Sequence, residues 1–200
     1  MVTDLGGFAA STFKRGIDFI NIPTTLLAMV DASVGGKTGI NFGGLKNEIG
    51  VFSDSRFVII NTQFLDTLDH DNICSGYAEM LKHGLISDER TWAELVTFDL
   101  EHPDLSQLQR MVADSIKVKE RIVETDPHEH GIRKALNLGH TMGHAFESFA
   151  MRRGTPILHG YAVAYGLISE LYMSARRRLS PPTACTRPYA SYAKTTAHST

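Results

Sequence analysis

The sequence predicts an α/β segment followed by an all-helical one, and three observations predict it. Short β-type runs and frequent glycines occupy Gly16 to Leu68. Beyond Leu68 the pattern changes to long helical periods with few β-branched runs. Pro103, Pro127 and Pro156 stand at the breaks between those periods, as proline's missing backbone donor requires. The divisions fall at 1–68, 69–178 and 179–200.

In the first division, Ile17-Asp18-Phe19-Ile20-Asn21-Ile22 stops at Pro23 and Phe57-Val58-Ile59-Ile60 stops at Asn61, so both read as buried strands. Thr24 to Asp31 reads as a short helix. The stretch with Gly35, Gly36, Gly39, Gly43 and Gly44 reads as a loop too rich in glycine for regular structure. Strand, loop and helix in succession suggest part of an α/β nucleotide-binding layer; two or three strands cannot complete a doubly wound sheet. In the second division helices are expected over Asn72 to Gly84, Asp88 to Asp99, Leu105 to Glu124, Lys134 to Met151 and Gly160 to Arg178. From Leu179 onward Ser, Thr, Pro and Ala dominate without an apolar period, so disorder is expected, and a shifted reading frame would produce so abrupt a change. There is no internal repeat.

Composition bounds the function classes. Two hundred residues with 42% hydrophobic and 21% charged side chains can bury a core, which excludes collagen-like, disordered and disulfide-scaffold proteins. Twenty Lys and Arg against 22 Asp and Glu leave a net charge of -2, so no global positive field recruits nucleic acid or an acidic membrane, and any anion site must be local. Cys74 and Cys185 are far apart with no CxxC spacing, which fits a reducing compartment. No secretory leader or membrane-length apolar run is visible, so a cytoplasmic protein is expected.

Within Asn137-Leu138-Gly139-His140-Thr141-Met142-Gly143-His144-Ala145-Phe146-Glu147, helical spacing points His140, His144 and Glu147 the same way. Such imidazoles bind a divalent metal, or one binds while its neighbour moves protons; a solvated polar stripe is the plain alternative. Glu79, within Gly76 to Lys82, and His159, at another helix start, supply the company a catalytic site needs. Two imidazoles, a carboxylate and open positions suit zinc or a similar ion. Alone, Glu79 would read as a surface carboxylate and His159 as a helix-start residue. Lys37, Lys46, Lys82, Lys119 and Arg133 recur among small residues, as a polyanionic substrate would require, although each taken singly reads as solvated surface. Gly35-Gly36-Lys37-Thr38 lacks the GxxxxGK[ST] spacing of a phosphate loop, which excludes a Walker-type nucleotide triphosphatase. Cys74, Met80, Met111 and Met142 read as core fillers.

Five separated motifs now stand in order: Pro23 to Thr38, Gly44 to Asn47, Gly76 to Lys82, Glu129 to Arg133 and Asn137 to His144. Together they resemble the 3-dehydroquinate synthase family, from about Asp4 to Ala175. The resemblance implies a truncated Rossmann-like part followed by a helical metal-binding domain. It implies an NAD- and metal-dependent lyase of the shikimate pathway, with zinc or cobalt as the metal. The expected reaction converts 3-deoxy-arabino-heptulosonate 7-phosphate to 3-dehydroquinate and phosphate by transient oxidation, elimination, reduction and aldol closure.

By the resemblance, Glu79, His140 and His159 are metal ligands, the same three that the residues themselves suggested. Lys119 and Arg133 match substrate-carboxylate contacts, and Lys37, Asn47, Asn137 and His144 match groups around the phosphate and reacting hydroxyls. His144 and Lys82 are the candidates for proton relay and oxyanion stabilisation. Arg15 matches a residue that reaches a neighbouring subunit, implying a homodimer. Asp4, Thr24, Thr25, Asp31, Lys46 and Thr67 fall at NAD contacts, with Asp31 and Lys46 also bordering substrate. The resemblance also predicts a glycine-rich pyrophosphate turn before Asp4 and a phosphate-contacting lysine in final helices, neither of which has a counterpart here. A catalytically impaired fragment is therefore one alternative, beside a related sugar-phosphate cyclase and a metal-dependent polyol dehydrogenase. The last handles neutral substrates and has no need of Lys37, Lys119 and Arg133 together.

Overall fold

A computed structural model describes residues 2–43 and 45–177; the expectation for 179–200 lies outside the described residues. Helix α1 (Val2–Thr12) was not expected, because two glycines dilute its apolar face. It forms against a neighbour: Gly7 sits so close to Thr38 that a Cβ would lie 2.5 Å from its methyl. A short turn over Phe13–Arg15, with Lys14 and Arg15 at positive φ, leads to strand β1.

The two expected strands are shorter than their apolar runs, and they are not buried: Ile20, Ile22, Phe57 and Ile59 are exposed, because a two-stranded pair has no further layer over it among the described residues. β1 (Ile20–Asn21) pairs in parallel with β4 (Phe57–Val58), Ile20 opposite Phe57. The helix expected over Thr24 to Asp31 begins at Leu26 and widens into a π-helical turn over Ala28–Ala32, which buries Met29 and Val30. The glycine-dense stretch is corrected outright. It forms an antiparallel hairpin of β2 (Lys37–Phe42) and β3 (Leu45–Phe52), with an irregularity between Ile40 and Phe42. Gly39 faces Gly50 across the ladder, and a Cβ on Gly50 would lie 2.4 Å from the Thr38 carbonyl oxygen. Those glycines serve a close strand pairing rather than a loop.

The helical part follows the apolar periods closely. α2 (His70–Ile86) is capped by Asp69, whose carboxylate accepts from Asn72 N at 2.9 Å, and is buried from Ile73 to Gly84. α3 (Glu89–Thr97) and α4 (Leu105–Thr125) are capped in the same way by Asp88 and Asp104. α4 buries Leu108, Met111, Val112, Ser115, Ile116, Lys119 and Ile122, the spacing of one helical face. The helix expected over Lys134 to Met151 is split. A tight turn over Ile132–Asn137 ends at Gly139, whose φ of 81° breaks it before α5 (His140–Arg152). α6 (His159–Arg176) closes the described chain.

The main core joins Leu26, Met29 and Val30 to Tyr77 and Met80 of α2 and Leu108 and Val112 of α4. The Tyr77 hydroxyl donates to the Leu95 carbonyl at 2.8 Å, tying α3 on. Helix α6 touches both α2 and α5 backbone to backbone. A Cβ on Gly160 would lie 1.8 Å from the Ser75 carbonyl oxygen, and one on Gly166 would lie 1.8 Å from that of Gly139. Cys74 and Met80 are buried as core fillers, Met111 with them, and Met142 is half-buried. No described helix is long and apolar enough to cross a membrane.

Candidate functional site

The two close helix contacts set the site. Glu79 lies one turn beyond Ser75 on α2, His159 opens α6 beside Gly160, and His140 opens α5 beside Gly139. Glu79 Oε1 consequently stands 3.6 Å from His140 Nε2 and 3.5 Å from His159 Nε2, and the three donor atoms lie within 4.8 Å of one another. Oε1 is buried with no hydrogen-bond partner, although a buried polar oxygen normally has one. Two imidazole nitrogens and an orphaned carboxylate oxygen converging on one point fit a divalent cation of the zinc or cobalt type.

Both histidines begin helices, where unpaired backbone N–H groups disfavour an imidazolium. Glu170 of α6 caps α5, accepting from Gly139 N at 2.8 Å and Met142 N at 3.3 Å, and Ser75 Oγ accepts from Gly160 N at 3.0 Å. Burial, opposed by the Glu79 charge, holds the His140 pKa below its ordinary value. For His159 burial also opposes protonation, but the hydrogen bond to Glu147 and the nearby Glu79 carboxylate outweigh it while no cation is bound, and its pKa is pushed up to about 9.

Around this point lies a buried charge network. The Lys82 ammonium donates to Glu79 Oε2, with both side chains essentially inaccessible. Burial would raise the Glu79 pKa, yet the Lys82 charge holds it down at about 2. Lys119 donates to Asp31 Oδ1 and to the Asp31 carbonyl, each at 2.6 Å. Burial again opposes ionisation of Asp31, and Lys119 and Lys82 override it, keeping its pKa well below the usual range. His83 donates to or accepts from Ser115 Oγ at 2.7 Å; burial, reinforced by Lys82, pushes its pKa down to about 3.

A second chain of contacts runs along the hairpin side. Lys37 pairs with Glu129, and Asn137 Nδ2 donates to the other Glu129 oxygen at 2.6 Å. Arg133 donates to the Pro127 carbonyl at 2.6 Å and the Gly35 carbonyl at 2.8 Å, and lies 5.8 Å over the Phe52 ring. A cavity of about 190 Å³ opens beside Lys37, lined also by Ser33, Ser53, Asp54 and Glu120.

The structure thus brings Glu79, His140 and His159 together, with Lys82 on the carboxylate and His144 beside them, its ring centroid 5.5 Å from that of His140. Asp31 stands within the same buried cluster through its approach to Glu79 and His83. Lys119, Arg133, Lys37 and Asn137 hold the contacts just given. Asn47 lies on β3 at a positive φ of 53°, its N–H donating to Asn41 Oδ1 at 3.0 Å, while the side chain of Lys46 lies outside the described residues. Thr25 Oγ1 accepts from Ala28 N at 3.2 Å and Thr67 Oγ1 donates to the Phe64 carbonyl at 3.5 Å. Thr24 and Arg15 are exposed, and Asp4 is half-buried on α1.

Three participants escaped the sequence. Glu147 shares the face of His140 and His144, a signal that was present, but no role attached to it. Glu129 opens the fourth motif but owes its place to a positive φ of 60°, which no residue type there announces, and His83 owes its place to a partner 32 residues away and has no signature.

Two family models divide the chain, 3-dehydroquinate synthase N-terminal over residues 1–75 and 3-dehydroquinate synthase C-terminal over 76–199. The chain belongs to the 3-dehydroquinate synthase family. A 3-dehydroquinate synthase of Parabacteroides distasonis is 63% identical over 174 residues, 87% of this chain and 49% of that protein. One from Streptococcus pyogenes serotype M18 is 45% identical over 181 residues, 90% of this chain and 50% of that protein. The chain spans about half the length of the curated relatives it matches. Among solved structures, 2-deoxy-scyllo-inosose synthase complexed with carbaglucose-6-phosphate, NAD+ and Co2+ superposes with a TM-score of 0.84 at 29% identity, covering 96% of this chain and 52% of that one. The 2-epi-5-epi-valiolone synthase from Streptomyces hygroscopicus subsp. jinggangensis 5008, with NAD+ and Zn2+ bound, gives 0.74 at 27% identity, covering 98% and 61%. The 3-dehydroquinate synthase family and these cyclases therefore share this fold.

Proposed function

We propose that this chain carries the metal and substrate site of a 3-dehydroquinate synthase, the enzyme that makes 3-dehydroquinate and phosphate from 3-deoxy-arabino-heptulosonate 7-phosphate. The observation that carries the reading is Glu79 Oε1, buried and unpartnered between the Nε2 atoms of His140 and His159. A bound divalent cation supplies Lewis acidity toward substrate hydroxyls there, and NAD supplies the hydride acceptor.

The chain's own residues do the rest. Lys82 keeps Glu79 ionised and presents an ammonium beside the position where an oxyanion develops. His144 accepts and returns a proton at Nε2, since its Nδ1 is held by Glu147 at 2.8 Å. Arg133, its plane fixed by two carbonyls, and Lys119, held by Asp31, take the substrate carboxylate. Lys37, Asn47 and Asn137 bind the phosphate and adjacent hydroxyls. Asp4, Thr24, Thr25, Asp31, Lys46 and Thr67 border NAD, with residues 1–68 as the NAD-binding part and 69–178 as the metal part. Arg15, exposed on its turn, reaches the site of a second subunit, making a homodimer. A cytoplasmic location accords with the buried free thiol of Cys74.

The test is metal content. After dialysis against cobalt, the chain should retain about one ion, as one three-ligand site requires, and Glu79→Ala, His140→Ala and His159→Ala should each lose it. Retention by all three variants would overturn the reading. Phosphate release from the heptulosonate phosphate, set beside sedoheptulose 7-phosphate and glucose 6-phosphate, decides the substrate. Preference for either sugar phosphate would favour the other cyclases, which the carboxylate clamp of Arg133 and Lys119 argues against.

A further inference from the structure

Glu147 does more than hold His144. It lies on α5 with its side chain 7% exposed, and its two oxygens go to two different imidazoles. Oε1 is 3.2 Å from His159 Nδ1, and Oε2 is 2.8 Å from His144 Nδ1. A carboxylate can only accept, so each Nδ1 must carry the hydrogen. A neutral imidazole with its hydrogen on Nδ1 has a bare lone pair on Nε2. For His159 that is the nitrogen 3.5 Å from Glu79 Oε1, turned into the proposed cation position. For His144 the same assignment leaves Nε2 as a base. His140 does not depend on Glu147, because its Nδ1 is oriented by the Leu138 carbonyl at 3.3 Å.

We infer that Glu147 is a positioning residue that fixes the tautomers of His159 and His144 together, so that one side chain sets both the ligand competence of the first and the basicity of the second. The inference rests on the proposed reading of the site as a cation centre. Glutamine in its place tests it sharply. An amide has one accepting oxygen and one donating NH2, so it can serve one of the two Nδ1–H groups but must present N–H to the other. Whichever way it turns, one imidazole is driven to carry its hydrogen on Nε2.

The experiment uses cobalt with the purified chain, read by competition titration and by the visible spectrum of the bound ion, beside 15N NMR of the histidine rings. Wild type loaded with diamagnetic zinc should show the Nδ1–H form for His144 and His159. Glu147→Gln should move one of the two rings to the Nε2–H form: where that ring is His159, cobalt binding should weaken by about 10- to 100-fold, the range for loss of a partner that orients a metal-binding histidine, and where it is His144, cobalt binding should hold within about threefold. His144→Ala should change cobalt affinity by less than about threefold, since that ring is not a ligand. In the His144→Ala background the amide of Glu147→Gln is free to turn its oxygen to His159, and affinity should recover. A loss of side-chain packing alone would give no such rescue.

Wild type that binds no cobalt overturns the reading of the site and this inference with it. Wild-type binding with both rings still in the Nδ1–H form in Glu147→Gln overturns the inference alone. So does loss of cobalt in His144→Ala, which would place the ion among His144, Glu147 and His159. Should Glu147→Gln not fold, the 15N spectrum of zinc-loaded wild type still decides: an Nε2–H ring at either His144 or His159 refutes the assignment.

Discussion

Replacing Lys82 with methionine isolates the charge pair at the centre of the helical part. The Lys82 and Glu79 side chains are 1% and 0% exposed, and methionine keeps most of the lysine stem while removing the ammonium. Glu79 would then keep its charge in the interior beside two imidazoles, while Asp31 would lose one of its two lysines. Removing one member of a buried pair costs about 3–5 kcal/mol. With a urea slope of about 2 kcal/mol per molar, the unfolding midpoint should fall by about 1.5–2.5 M. The assay is urea denaturation at pH 8, followed by circular dichroism, of the chain freed of metal with EDTA. Saturating cobalt should shrink the shift, because the ion supplies positive charge at Oε1. A second variant, Glu79→Leu with Lys82→Met, should recover most of the loss, since both charges are then gone. A midpoint change below about 0.5 M at unchanged slope, on the order of 1 kcal/mol and the worth of a surface pair, would refute the reasoning.

Three further outcomes are expected. Since the His83 pKa is pushed from 6.5 to about 3 by burial and the Lys82 charge, the unfolded chain binds a proton between those values that the folded chain refuses. Its contribution is therefore complete above pH 6.5 and lost on acidification, about 2 kcal/mol by pH 5, and urea midpoints against pH should be flatter in His83→Gln; parallel curves would contradict this. Gly160→Ala places a methyl against the Ser75 carbonyl and should cost about 3 kcal/mol, read as a lower Tm; an unchanged Tm would mean that α2 and α6 are further apart. Arg133→Lys replaces a fork that serves the Pro127 and Gly35 carbonyls with a single ammonium, and should cost about 1–2 kcal/mol in urea denaturation; equal midpoints would show that the fork does not hold the loop.

What was legible depended on how local the cause was. α4 could be read because its buried face follows from Leu108, Met111, Val112 and Ser115 alone, and Asp69, Asp88 and Asp104 mark helix starts within a few residues. The hairpin could not, because Gly39 and Gly50 acquire their meaning from each other across the ladder. α1 escaped for the same reason, its helix being completed by contact with Thr38. The break at Gly139 hid inside a good helical period, since the period does not record the sign of φ. Helical spacing placed His140, His144 and Glu147 on one face, but the convergence of Glu79 and His159 on them depends on α6 lying against α2 at Ser75, which no spacing within either helix encodes.

The two backbone seams, Ser75 against Gly160 and Gly139 against Gly166, have a mechanical consequence. Each of Glu79, His140 and His159 hangs within about one turn of a seam, so none can slide without driving one peptide unit into another. A triangle of donors so held is stiff, and a cation bound there would be selected by its radius, because the donors cannot reshape themselves around it. The bend bearing Glu129 is held differently, by the side-chain contacts of Lys37 and Asn137, which yield more readily than one peptide unit against another.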